Sequence, residues 1–363
     1  MNSRPLRILP LLLAVVGGVA ACGGGGSTAA PPAPPQSTRT WQMGFSYIPP
    51  RLTTQAVLQG IDLWSQRAEL AAIHEELPWT DLLAGIAPEV ILDRDKTQLI
   101  TYLRGKGLKL YFMADLTDGL SRGEEAPQLR ALGRSITEPA VQQVYRSYVL
   151  AFERKYNPEY LGLAAETNLI RLAAPSPVYA AVVTAANEAA ADLKAAGATA
   201  TLITSVQVET AWGLLGTGGS YVGIEQDFHD FPFTQWLGLS SYPYFAFAQP
   251  EDIPADYYSR PASGHTVPVM VVEGGWTSAS VGTVHSSADL QARYITRHAL
   301  LLDSVRARGV IQLEFADIDL SLLPQPVPAN LPLFAQIGLT DSNFSPKLAL
   351  AAWDALHARL LRP

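Results

Sequence analysis

From Trp41 onward, short runs of strand-forming apolar residues alternate with stretches whose apolar positions recur at helical spacing. This is the pattern of repeated βα units. Strands are predicted at residues 42–47, 69–73, 108–114, 160–165, 199–208, 236–240, 267–272 and 309–313. Helices are predicted at 54–67, 93–104, 139–155, 177–196, 287–308 and 345–360, with a short one near 224–231. Gly105, Gly107 and Gly197 mark helix ends. The strands read as continuous apolar runs, VMVV at 269–272 being the clearest. Such runs suit strands buried on both faces of a parallel sheet.

Eight units in one uninterrupted stretch predict an α/β fold, a single (β/α)8 TIM barrel with long βα loops over residues 41–363. A doubly wound open sheet is the alternative, but no glycine-rich dinucleotide fingerprint follows the first strand. In a barrel the chemistry sits at the C-terminal ends of the strands. Those ends carry Glu75, Asp115, Glu166, Glu209, Glu273 and Glu314. Six carboxylates at one mouth cannot all be ionised side by side, so some are paired, protonated or bound to a cation. General acid chemistry uses that conflict. Rings and amides fall in the same loops: Tyr47, Trp79, Trp212, Tyr242, Tyr244, Trp276, Asn168 and Gln207. Flat rings stack on sugar faces, and amides and phenols bind hydroxyls. The substrate-binding set read this way is Tyr242, Tyr244, Trp276, Asn168, Glu75, Asp115, Glu209, Glu314, Trp79 and Trp212. Loop lengths hint at an open cleft.

Glu166 in YLGLAAETN (160–168), Glu273 in VMVVEGGW (269–276) and a Tyr after strand six resemble the clan A retaining glycoside hydrolases. LGLSSYPYF (237–245) and VVEGGW are similar to stretches of the family 53 endo-galactanases. The resemblance implies that Glu166 is the acid/base, Glu273 the nucleophile, and Tyr242 or Tyr244 the phenol that hydrogen-bonds it. Three positions depart from the clan pattern. Ala165 stands where an Asn usually precedes the acid/base, with Asn168 as a substitute two residues beyond it. His74-Glu75 replaces an Arg at the end of strand two, and Glu314-Phe315 replaces a Trp near the end of strand eight.

The first residues change the address. Arg4 and Arg7 precede an apolar run, 8–16, too short to span a bilayer. Val19-Ala20-Ala21-Cys22 resembles a bacterial lipobox, and Cys22 is the only cysteine, so no internal disulfide can form. The expectation is a signal peptide over 1–21, a lipidated Cys22 opening a Gly/Pro/Ala-rich tether to residue 40, and a domain held outside the cytoplasm at the cell envelope. Losing Arg4 and Arg7 takes the net charge from −7 to −9. An acidic chain without a basic cluster argues against nucleic acid as a partner. The partners expected are an oligo- or polysaccharide and, through the anchor, a membrane.

Other constellations are weaker. None of the six histidines makes HExxH spacing, and His74 is the one at a strand end. Asp115, Glu166 and Glu209 could be hard-oxygen ligands of a barrel lyase or isomerase, but no Lys stands at a strand end to act as base. No GxSxG elbow follows a strand. The Gly-rich patch 213–219 reads as a flexible lid. The primary reading is a retaining β-glycosidase without cofactor or metal. The alternatives are a non-catalytic glycan-binding lipoprotein on the same barrel and a metal-dependent lyase or isomerase.

Overall fold

The computed structural model describes residues 37–215 and 219–362. The signal segment, Cys22, most of the tether, and residues 216–218 of the Gly-rich patch lie outside the described residues. Among those described, no helix is long and apolar enough to cross a membrane.

Eight parallel strands close a barrel in chain order: β1 (Gln42–Ser46), β2 (Leu70–Glu76), β3 (Lys109–Asp115), β4 (Tyr160–Ala164), β5 (Thr201–Gln207), β6 (Trp236–Ser241), β7 (Val269–Gly274) and β8 (Gly309–Gln312). β8 pairs with β1 from Gly309↔Gln42 to Gln312↔Phe45, which closes the ring. Local chemistry starts and stops the surrounding helices. Thr53 and Ser287 cap the helices Thr54–Trp64 and Ala288–Ser304 by accepting from the N–H three residues on. Pro139 opens the helix Pro139–Tyr156, and Asn157 in the left-handed region ends it.

Two departures from the pattern affect the site. The second helix is split into Pro88–Asp95 and Thr97–Gly105, and Lys96 stands at the break. Between β6 and β7 there is no α-helix among the described residues, only short 3-10 turns at Pro243–Phe245 and Pro250–Asp252.

The apolar residues form two shells. Leu70, Ala72, Tyr111, Met113, Tyr160, Ile203, Met270, Val272 and Ile311 fill the barrel interior. Phe45, Phe112, Leu161, Val206 and Val271 face outward to the helices, where Phe112 stacks on Phe152 with centroids 3.7 Å apart. Strands such as β7 are therefore apolar on both faces and do not alternate, whereas β1 puts Gln42, Gly44 and Ser46 on the inner face. The interior is tight at Gly162, where a Cβ would come within 2.4 Å of Met113 Cε.

The chain ends clamp the far side of the barrel. Thr38–Arg39 pairs with Leu360–Leu361, so ordered structure begins inside the stretch expected to be tether. Arg39 is buried, and its Nη2 lies 2.5 Å from Glu69 Oε1. Burial opposes the Glu69 charge, but hydrogen bonds from His357, Arg39 and the Met43 amide hold its pKa at about 2. This contribution is complete above about pH 4.5 and is lost as pH falls toward 2. Arg39→Ala should lower unfolding free energy by about 3 kcal/mol, because it leaves Glu69 without its main cation. Urea denaturation at pH 7 measures this, and a loss under about 0.5 kcal/mol would contradict the clamp.

Candidate active site

Strand parity alone would not aim Glu273 into the mouth. On β7, Met270 and Val272 point inward, so the next inward residue should be Gly274. A register shift against β6, between Val271↔Leu239 and Glu273↔Ser240, inserts one residue and turns Glu273 in. β4 is also shifted against β5, between Gly162 and Ala164, which changes the parity after Gly162. Ala165 then points into the barrel interior. Glu166 follows in the left-handed region, at φ 46° and ψ 46°. A non-glycine residue held there stores about 1–3 kcal/mol of strain. The Ser205 hydroxyl, accepting from the Glu166 N–H at 2.9 Å, helps to hold it.

A continuous line of hydrogen bonds joins the two carboxyls. Tyr242 OH donates to Glu273 Oε1 at 2.5 Å. His74 Nδ1 lies 3.1 Å from Glu273 Oε2, and its Nε2 lies 2.8 Å from Asp115 Oδ2. Arg122 Nη1 donates to both Asp115 oxygens at 2.7 Å, and its Nε donates to Glu166 Oε2 at 2.7 Å. Arg122 arrives on a hairpin in the β3 loop, Thr117–Asp118 paired with Ser121–Glu125.

These contacts set the charges. Burial disfavours a charged His74, but Asp115 and Glu273 overcome it and raise its pKa to about 10. Burial opposes ionisation of Asp115, yet Arg122 and His74 hold it well below the usual carboxylate range. Glu273 is likewise lowered, with burial outweighed by His74, Arg122 and Tyr242. Glu166 moves the other way: burial raises it, and the Glu273 charge adds to that against the pull of Arg122. Two neighbouring carboxyls are thus tuned in opposite directions.

The pocket at Glu273 has a volume of about 320 Å³ and is lined by His74, Glu75, Asp115, Arg122, Tyr242, Glu273 and Glu314, with Ile48, Leu120, Leu331 and Phe334 among the apolar walls, while Glu166 is buried against Arg122 and is not part of the lining. Its mouth is narrower than the loop lengths imply. Asn330 Nδ2 donates to the Leu120 carbonyl at 2.8 Å, tying the β8 loop to the hairpin tip. Glu75 is neutralised by Lys96 at 2.6 Å and accepts from Tyr47 OH at 3.2 Å.

Several residues expected at the mouth lie elsewhere. Glu209 is wholly buried and accepts from Tyr257 OH, the Tyr242 N–H and Ser241; burial lifts its pKa to about 7 against those bonds. Asn168 is committed to the Gln207 backbone, donating to its carbonyl and accepting from its N–H at 2.8 Å each. Trp276 is 1% exposed, bonds Ser286 and packs between Tyr244 and Tyr294. Tyr244 is buried with its OH on the Leu333 carbonyl. Trp79 is fully buried, and Trp212 bonds the Tyr257 carbonyl beneath Arg260. Large rings gain more by packing on one another than by facing water. Among these rings only Tyr242 lines the pocket.

Arg122 and Lys96 were missed. Asp118-Gly119 in the β3 loop is a hairpin-turn signal that would have put Arg122 beside the strand ends. For Lys96, inside a predicted helix, the sequence carries no such signal. The metal alternative does not fit these contacts, because Arg122 stands between Asp115 and Glu166 and Glu209 turns to Tyr257. Among the described residues, no group of three or more His, Cys, Asp or Glu could hold a metal ion.

Both His74 nitrogens must donate to ionised carboxylates, so the ring is an imidazolium. Nitrogen NMR at pH 8 should find both ring nitrogens protonated. The stabilisation from this ion pair should be full below about pH 6.5 and lost as pH rises through about 10. A neutral ring at pH 8 would contradict the network.

No family model matches this chain, and no curated protein matches its sequence. Solved structures do match in fold. An exo-β-1,4-mannosidase from Opitutaceae bacterium strain TAV5 is 15% identical, with a TM-score of 0.62 over 89% of this chain and 61% of its own. A Bacteroides uniformis β-glucuronidase 2, covalently bound to cyclophellitol-6-carboxylate aziridine, is 14% identical, with a TM-score of 0.54 over 86% of this chain and 34% of its own. A GH5_18 protein variant from Bifidobacterium longum subsp. longum, in complex with Manβ1-4GlcNAc, is 14% identical, with a TM-score of 0.59 over 89% and 80%. The chain thus spans less than two thirds of the mannosidase and about a third of the glucuronidase. It shares with all three the closed eight-stranded TIM-barrel fold.

Proposed function

We propose that this chain is a retaining glycoside hydrolase acting on a β-linked glycan outside the cytoplasm, tethered through a lipid on Cys22. The observation that carries the reading is the opposite tuning of Glu273 and Glu166 within one hydrogen-bonded line. Glu273, kept ionised by His74 and Tyr242, attacks the anomeric carbon. Glu166, whose proton burial and the Glu273 charge help to hold against the pull of Arg122, donates that proton to the leaving oxygen. Arg122 occupies Oε2 of Glu166, so the proton to be given sits on Oε1. Water, deprotonated by Glu166 in the second step, then releases the sugar with net retention. The neighbours named for mannosidase and glucuronidase activity, and the one holding Manβ1-4GlcNAc, support a sugar as ligand.

The ion pair between Arg122 and Glu166 favours one other reading, a glycan-binding lipoprotein whose acid is locked. The two part on turnover. With p-nitrophenyl β-glycosides of mannose, glucose, galactose and xylose, the enzyme should release one sugar, with the β-anomer first by proton NMR. Glu273→Gln should reduce kcat by about 10⁴-fold or more, a loss of about 5 kcal/mol of barrier lowering. Full activity in that variant would overturn the mechanism. Disaccharide binding without turnover over days would establish the locked-acid reading instead.

A further inference from the structure

Glu314 has no part in the line between Glu273 and Glu166. It follows β8, is 1% exposed and lines the pocket. Its Oε2 is buried with no hydrogen-bond partner, and among the described residues no cation pairs with it. Lys347, the nearest cation, is already held by Asp317, Ser278 and the Gly338 carbonyl. Across β1, Glu75 repeats the feature on the same pocket: Lys96 and Tyr47 occupy its Oε2, while its Oε1 is buried and unpartnered. Buried carboxyl oxygens are normally satisfied, and each exception costs stability. Two residues that line one pocket each carry such an exception, which points to a ligand that completes them.

We propose that Glu314 is a specificity-determining residue of this pocket, a carboxyl reserved for a hydroxyl of a neutral sugar ring, with Glu75 accepting from a second hydroxyl. This rests on the glycan reading above. Burial pushes the pKa of Glu314 well above the carboxylate range, Asp317 adds to this and Lys347 opposes it, so its surroundings favour the uncharged form. An uncharged carboxyl offers one donor and one acceptor, and a sugar hydroxyl offers the same pair. An ammonium ligand would find no fixed negative charge here, and the charges around it are already matched: Glu75 with Lys96, Asp115 with Arg122, and Glu273 with His74.

The test compares the full chain, Glu314→Gln and Glu314→Leu in thermal melts and in titrations with mannobiose, cellobiose, xylobiose and β-1,4-galactobiose. Gln keeps a donor and an acceptor, so binding of whichever disaccharide the wild type prefers should stay within about threefold. Leu removes the unpartnered group, so it should raise the melting temperature by about 2 °C or more and weaken binding at least tenfold. Wild-type affinity in Glu314→Leu, or its failure to fold, overturns this assignment and leaves the glycosidase reading standing. A wild type that binds none of the four overturns the glycan reading and this inference with it.

Discussion

Six carboxyl groups at the ends of the barrel strands, four of them lining one pocket, are the constraint from which the rest of the site follows. Their mutual repulsion is resolved differently at each position. Lys96 neutralises Glu75, while Arg122 and His74 hold Asp115 ionised. His74 and Tyr242 keep Glu273 charged. Glu166, Glu209 and Glu314 are pushed toward the neutral form by burial. Buried ion pairs of this kind add little net stability, because desolvation offsets the Coulomb gain, yet removing one partner costs about 3–5 kcal/mol. The network from Tyr242 to Glu166 is therefore better understood as a device that fixes protonation states than as a source of stability.

The fold supplies the geometry for that device by breaking its own regularity. A perfect barrel would direct Gly274 inward and Glu273 toward the helices. One extra residue in β7 reverses this, and after the shift in β4 the left-handed turn at Glu166 carries its side chain to Arg122. The cost in strain and lost ladder bonds falls where the two carboxyls must meet. The absence of an α-helix after β6 lets Tyr242 stay beside Glu273 while Tyr257 and Tyr258 fill the space behind.

The barrel was legible in the sequence because burial on both faces writes strands such as VMVV at 269–272 as apolar runs, and because glycines, prolines and capping residues punctuate the helices. The strand-end carboxylates were legible for the same reason. What the sequence concealed was side-chain direction. A Trp after a strand reads equally as a stacking platform or as packing, and Trp276, Trp79 and Trp212 all pack. Asn168 was read as a sugar ligand, but β5 offers its backbone closer by. Arg122 lies seven residues beyond Asp115, and only the folding of a hairpin returns it there. Register shifts have no residue signature at all, so the sequence could place Glu273 and Glu166 at strand ends without saying that Glu273 turns to the pocket while Glu166 is buried against Arg122. The signal segment and Cys22 lie outside the described residues, and the lipid anchor remains a proposal from the sequence.

The proposed mechanism turns on direct attack of Glu273 on the sugar. The most direct measurement is mass spectrometry of the protein after incubation with a panel of 2-deoxy-2-fluoro β-glycosyl fluorides, followed by peptide mapping. The fluorine slows both steps and the good leaving group spares the first, so a covalent sugar accumulates. A single adduct on the peptide carrying Glu273, absent from Glu273→Gln, is the predicted result. An adduct on another carboxylate, or hydrolysis of a matching natural glycoside without any trapped adduct, would contradict it.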